Sequence, residues 1–206
     1  MRQNIFVTGI DTDIGKTISS SVLVEALEAD YWKPVQCGDL EKSDSMKVSQ
    51  LVTNQTSTIH PETHRLKTPA SPHLAAEREG LKISLEDFTL PQTNRTLIIE
   101  GAGGILVPLN QDNTIIELAK KFNAEVVLVT KNYLGSLNHT LLSIDYLKRN
   151  NLPIKGMIFN GKENNELETF LVKKTGVPIL ANIPWLDELT PEMVKEMASL
   201  CKGNLK

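Results

Sequence analysis

Disulfides, membrane spans and a dominant charge are all missing from this chain of 206 residues. Its two cysteines, Cys37 and Cys201, are too few for a disulfide framework, which points to a reducing compartment and a fold held by packing. No apolar run approaches the roughly 20 residues that cross a bilayer, so no membrane partner is expected. Polar residues interrupt MRQNIFVTG before a signal-peptide core can form, and a cytoplasmic location is the expectation. Lysine and arginine (22) do not outnumber aspartate and glutamate (25), and a net charge of −3 argues against a nucleic-acid partner. No linker, low-complexity tract or internal repeat divides the sequence. With 40% hydrophobic residues it can bury one sizeable core, and a single domain over residues 1–206 is expected.

What is present is an alternation of short apolar runs with longer segments of helical period. Strands are predicted over 4–9, 31–36, 96–100, 125–130, 155–160 and 177–184, the second of them ending near Pro34. Helices are predicted over 17–29, 114–122, 136–150 and 166–176, the last stopped by Gly176. Another begins near Thr190, where Thr190 and Pro191 make an N-cap and first-turn pair. This order builds βαβ units, and so an α/β fold whose parallel sheet is covered by helices on both faces. Only 53–81, rich in Thr, Ser, Pro and His, has no clean period; a functional lid or partner-contacting loop is expected there.

TGIDTDIGKT (8–17) lies between a predicted strand and a predicted helix, the setting of a phosphate-binding P-loop. Gly9 and Gly15 let the backbone turn its N–H groups inward, Lys16 brings a point charge to the β/γ-phosphates, and Thr17 offers a hydroxyl to Mg²⁺. Five residues separate the two glycines instead of the usual four. In IIEGAGG (98–104), Glu100 leaves the end of a buried strand, where a carboxylate can hold Mg²⁺, while Gly101, Gly103 and Gly104 admit a close ligand. In WKPVQCG (32–38), Lys33 can stabilise charge on a transferring phosphoryl or carboxyl group, and Asp44 in KSDSMK can add a metal ligand. Taken singly, Lys33 and Asp44 also read as surface charges, and IIEGAGG as a glycine-rich turn. His60 and His64 are four apart, but Pro61 between them argues against a helical metal pair.

TGIDTDIGKT, KPVQCG, the Ser-Asp of KSDSMK, TPASPH, IEGAGG, LGSLNH and NIPWL together resemble the ATP-dependent dethiobiotin synthetases, over residues 4 to about 187. The five-residue P-loop spacing is typical of that family. The resemblance implies a P-loop NTPase-like fold and a cyclo-ligase. In that reaction 7,8-diaminononanoate takes up CO₂ (or bicarbonate) as a carbamate, ATP converts it to a carbamic-phosphoric anhydride, and the second amine closes the ring, giving dethiobiotin, ADP and phosphate. It implies that Asp13, Ile14, Gly15, Lys16, Thr17 and Ile18 wrap the triphosphate, with Gly101, Ala102 and Gly103 beside it. Thr17, Asp44 and Glu100 would ligate Mg²⁺, Lys33 and Lys16 would be catalytic, and Thr12 and Cys37 would face the substrate. Asn160 and Gly161 would meet adenine, with Pro184, Trp185 and Leu186 lining the base pocket. Asn138, by itself a polar residue at a helix N-terminus, would reach across a homodimer interface to the diamine's carboxylate. His73 and His139 read as structural.

Cys37 departs from the Ser or Thr usual in the family, replacing a hydroxyl by a weak thiol donor. Two other readings compete. A switch ATPase of the partitioning type usually carries a second lysine early in the P-loop, where this chain has Ile10. The synthetase-like domain of a corrinoid amidotransferase shares EGAGG, but 206 residues leave no room for its glutaminase domain. No Asn-Lys-x-Asp run is present to read guanine.

Overall fold

A computed structural model describes residues 3–186 and 188–205. In chain order it comprises β1 (Asn4–Gly9), α1 (Lys16–Leu27), β2 (Asp30–Trp32), β3 (Val35–Cys37), α2 (Asp44–Leu51), β4 (Ile59–His60), β5 (His64–Leu66) and α3 (Pro72–Arg78). There follow β6 (Leu97–Gly104), α4 (Glu117–Lys121), β7 (Glu125–Thr130), α5 (Ser136–Arg149), β8 (Ile154–Asn160), α6 (Asn165–Thr175), β9 (Ile179–Ile183) and α7 (Pro191–Cys201). Seven strands form a parallel sheet in the order β4-β2-β6-β1-β7-β8-β9. The chain builds outward from β1 in one direction, then in the other. Its reversal puts a ligand crevice at the C-terminal ends of the central strands.

The pleat divides the core. Ile5 and Val7 pack with Val22, Leu23 and Ala26 of α1 and with Val194 and Met197 of α7. Phe6, one residue out of phase, faces the opposite side with Trp32, Ile99, Val126 and Leu147. Burial on both faces explains why β1, β6 and β7 read as continuous apolar runs. Two helix ends follow the predicted chemistry: Gly176 closes α6 with φ 71°, and the Thr190 hydroxyl accepts the Met193 N–H at the start of α7.

The predicted strand 31–36 is two strands in two sheets. β2 pairs with β6 as far as Trp32, whereas β3 pairs with β5 in a separate two-stranded parallel sheet. Pro34 has no N–H for the ladder, and its carbonyl accepts from Thr63 and His64 instead, which turns the chain out of the main sheet. Segment 53–81, read as irregular, instead holds β4, β5 and α3. Its strands are too short to show a period. The helix predicted over 114–122 begins only at Glu117, because Pro108 and Thr114 form an isolated antiparallel bridge just before it.

Trp32 is fully buried and packs against Phe122 and Phe88, with ring centroids 5.6 and 6.5 Å away. Trp32→Ala should therefore cost about 3–5 kcal/mol in a urea unfolding titration, the range for emptying an aromatic core site.

Candidate active site

A cleft of about 1000 Å³ opens at the C-terminal ends of β1, β2 and β6. Thr12, Asp13, Gly15, Lys16, Thr17, Ile18, Lys33, Cys37, Asp44, Glu100, Ala102 and Gly103 all line it. These residues come from four separate stretches of sequence, and the parallel sheet brings them to one edge.

At its floor lies a cluster of buried charges. Lys33 emerges where Pro34 breaks the strand, and its Nζ donates to Asp44 Oδ2 at 2.5 Å and to Glu100 Oε1 at 3.0 Å. Glu100, only 1% exposed, also accepts from Thr17 Oγ1 (3.0 Å) and, through its other oxygen, from the Tyr31 hydroxyl (3.0 Å). Asp44 opens α2 behind the N-cap Ser43, whose hydroxyl accepts the Met46 N–H. Its own N–H donates to Gln36 Oε1, and Lys47 reaches its Oδ1. Burial works against the Lys33 ammonium, but the facing Glu100 and Asp44 carboxylates more than offset it and raise its pKa above the ordinary value. Burial likewise opposes ionised Asp44, yet Lys33 holds its carboxyl below the usual range. Tyr31, desolvated and facing Glu100, stays a neutral donor.

The loop itself is held from both sides. Lys16 Nζ donates to the Asp11 carbonyl at 3.0 Å, closing the loop, and burial lowers its pKa. Gly15 has φ 91°, and a Cβ there would lie 1.6 Å from Asn160 Nδ2. That amide donates to the Ile14 carbonyl at 3.0 Å, so the end of β8 rests directly on the P-loop. Only glycine permits both features. Cys37 lines the cleft as a thiol that burial pushes up to about 11.

Other predicted site residues lie elsewhere. The Ile14 side chain is buried in the core beside α1, leaving only its backbone to the loop. Gly101 does not line the cleft; a Cβ there would stand 3.0 Å from the Phe6 ring, so its smallness serves strand packing. Asn160 and Gly161 lie at the end of β8, the Gly161 N–H bonds the Ile183 carbonyl that ends β9, and Pro184, Trp185 and Leu186 follow directly. Trp185 is 68% exposed, with Lys131 Nζ over its ring at 5.0 Å. Asn138 is exposed on α5, outside this cleft. His60 faces Asp30 (3.4 Å) and His64 faces Asp87 (3.0 Å), so the two do not form a pair. His73 meets Ser71, and His139 meets the Tyr133 hydroxyl. The sequence reading missed Tyr31 and Gln36, which brace Glu100 and Asp44. Nothing in YWKPVQ singles them out before the sheet brings them beside Glu100 and Asp44.

The depressed carboxyl of Asp44 has a sign for stability. A group whose folded pKa lies below its unfolded value contributes above that value, 3.8, and the contribution disappears as pH falls through the folded pKa. Asp44→Asn should therefore flatten the acid limb of the stability–pH curve below about pH 4, measured by urea unfolding from pH 2 to 7.

Residues 3–193 match the family model described as an AAA domain. The ATP-dependent dethiobiotin synthetase of Cytophaga hutchinsonii is 49% identical over 194 residues, covering 94% of each chain. That of Christiangramia forsetii is 46% identical over 208 residues, covering 100% of this chain and 99% of its own. Among solved structures, a ParA family ATPase from Chlorobium tepidum aligns over 100% of this chain and 95% of its own, with a TM-score of 0.53 and 15% identity. The septum site-determining protein MinD of Pyrococcus horikoshii, solved with Mg-ADP, aligns over 98% and 90% with a TM-score of 0.53 and 16% identity. At that identity the structural likeness establishes the P-loop NTPase-like α/β fold and nothing finer. The sequence relatives go further, and the chain belongs to the ATP-dependent dethiobiotin synthetase family.

Proposed function

We propose that this chain is an ATP-dependent cyclo-ligase acting as one domain over residues 1–206, which converts 7,8-diaminononanoate and CO₂ into dethiobiotin, ADP and phosphate. The observation that carries the reading is the Lys33 ammonium held between Glu100 and Asp44 beside the P-loop. One amine nitrogen attacks CO₂ to form the carbamate. A carbamate oxygen then attacks the γ-phosphorus, and the bond to ADP breaks. The second amine attacks the carbonyl of the mixed anhydride, phosphate departs, and the urea ring closes. Every step gathers negative charge on oxygen in one small volume, which fixed cations stabilise. Lys16 serves the transferring phosphoryl group. Lys33, fully charged and desolvated, serves the carbamate side. Thr12 and Cys37 line the same cleft for the diamine, with the thiol replacing a hydroxyl contact.

Thr17, Asp44 and Glu100 present hard oxygen donors, and an ammonium already lies between the two carboxylates, so the donor set suits a small divalent cation such as Mg²⁺. When bound, that ion supplies charge neutralisation for the ATP phosphates. Asp13 to Ile18 cradle the triphosphate with Ala102 and Gly103, Ile14 through its backbone alone, while Gly101 supports the strand behind them. Asn160, Gly161, Pro184, Trp185 and Leu186 form the adenine side.

The active species is a homodimer in the cytoplasm, with Asn138 completing the diamine site of its neighbour. Supporting the dimer, Tyr133, Leu134 and Leu142 are exposed apolar side chains on the segment that carries Asn138, Leu134 fully so. Among the described residues no helix is long and apolar enough to cross a membrane.

Phosphate release that requires ATP, diaminononanoate and bicarbonate together tests the reaction; release independent of the diamine would overturn it. Lys33→Ala should lower kcat by about 10²–10³-fold, the cost of removing one preorganised charge donor, while ADP affinity by calorimetry stays near wild type. Lys16→Ala should be inactive, and Asn138→Ala should raise KM for the diamine but not for ATP. Mixing those two variants should restore activity, because a heterodimer carries one intact shared site. A fully active monomer in light scattering would exclude that arrangement.

A further inference from the structure

Beyond the P-loop's own Asp13 and Lys16, the paired charges Lys33, Asp44 and Glu100 lie on its β6 and β2 side, so the reacting end of a nucleotide faces that way. Its base end then faces the loops after β7, β8 and β9. Those loops are joined by one buried carboxylate. Glu168, in the first turn of α6, is only 3% exposed and has no cation among its hydrogen-bond partners. Its Oε1 accepts from Asn132 Nδ2 after β7 and from the Asn164 N–H after β8, both at 2.9 Å. Its Oε2 accepts from Asn182 Nδ2 on β9, also at 2.9 Å. Asn132 Nδ2 further bonds the Lys162 carbonyl, and the Gly161 N–H bonds the Ile183 carbonyl. A carboxylate near a helix N-terminus, fed by three neutral donors from three elements, is a brace and not an ion pair.

We propose that Glu168 is the positioning residue of the base subsite: by tying Asn132, Asn164 and Asn182 together, it sets the spacing between Asn160–Gly161 and Pro184–Leu186 that receives the purine. This rests on the reading of those segments as the adenine side. Removing the carboxylate strands three donors at once and frees the loops, while the P-loop, Lys33 and Glu100 are untouched. Phosphate binding therefore survives, and base binding does not.

The test compares two ligands by calorimetry in the presence of magnesium: ADP, and inorganic tripolyphosphate, which has no base. Glu168→Ala should weaken ADP roughly ten-fold and leave tripolyphosphate unchanged. Glu168→Gln should recover most of the ADP affinity, since a glutamine oxygen accepts from Asn132 and Asn164 while its amide donates to a flipped Asn182. Equal losses for both ligands would reduce Glu168 to general stability, and unchanged ADP binding would remove it from the site; either overturns the proposal. If Glu168→Ala does not fold, Asn132→Ala decides by the same ADP-to-tripolyphosphate ratio, and an unaltered ratio is a refutation. Trp185→Ala separates the two levels. A changed ratio there with none for Glu168→Ala sinks Glu168 alone, whereas no change in either sinks the base side as well.

Discussion

Three charges packed together at the floor of the cleft set the terms for the rest of the molecule. Neither Glu100 nor Asp44 nor Lys33 could be buried alone, because an isolated ion in a protein interior costs several kcal/mol. Together they are tolerable only if each oxygen and proton finds its partner, and the neighbouring elements supply these. Tyr31 occupies one oxygen of Glu100, Thr17 and Lys33 the other, and Gln36 fixes the first N–H of α2. The demand reaches the backbone as well. Pro34 ends the β2 ladder one residue after Lys33, so this side chain stands opposite Glu100, in line with the pairing of Trp32 and Ile99.

A shared α/β fold is what lets ATPases with only about one residue in six in common superpose on this chain. The P-loop needs a strand, a tight turn and a helix, and the sheet supplies these wherever it recurs. In this chain the P-loop is flanked by the lysine and acids over β2 and β6, and by the stitched loops over β8 and β9. The small β3–β5 sheet belongs to the first of these regions. It carries Cys37 and gives the cleft wall its own hydrogen-bonded frame, outside the main sheet.

Contiguous features were legible in the sequence, and convergent ones were not. Strand, loop, Lys16 and Thr17 follow one another, so their chemistry could be read directly, as could the caps at Gly176 and Thr190. Glu100, Asp44 and Lys33 were recognisable as candidate types, but their contact spans up to 67 residues of chain and appears only when the sheet closes. Tyr31 reads as one more apolar residue of a strand, and its hydroxyl becomes meaningful only opposite Glu100. Glu168 reads as an ordinary first-turn acid. Orientation was the other hidden quantity: Ile14 and Gly101 sit inside the right motifs, yet packing directs one into the core and uses the other to clear Phe6. The split of 31–36 turned on where proline stopped the ladder, which periodicity does not report.

The thiol of Cys37 has a consequence for how the protein tolerates its surroundings. Electrophiles and peroxides attack the thiolate, and burial raises the Cys37 pKa so that the neutral thiol prevails at neutral pH. The burial that produces this shift overcomes even the nearby Lys33 charge, which alone would favour the anion. A sulfur atom thus lines a cleft built to attract negative charge while burial holds it in the less reactive thiol form.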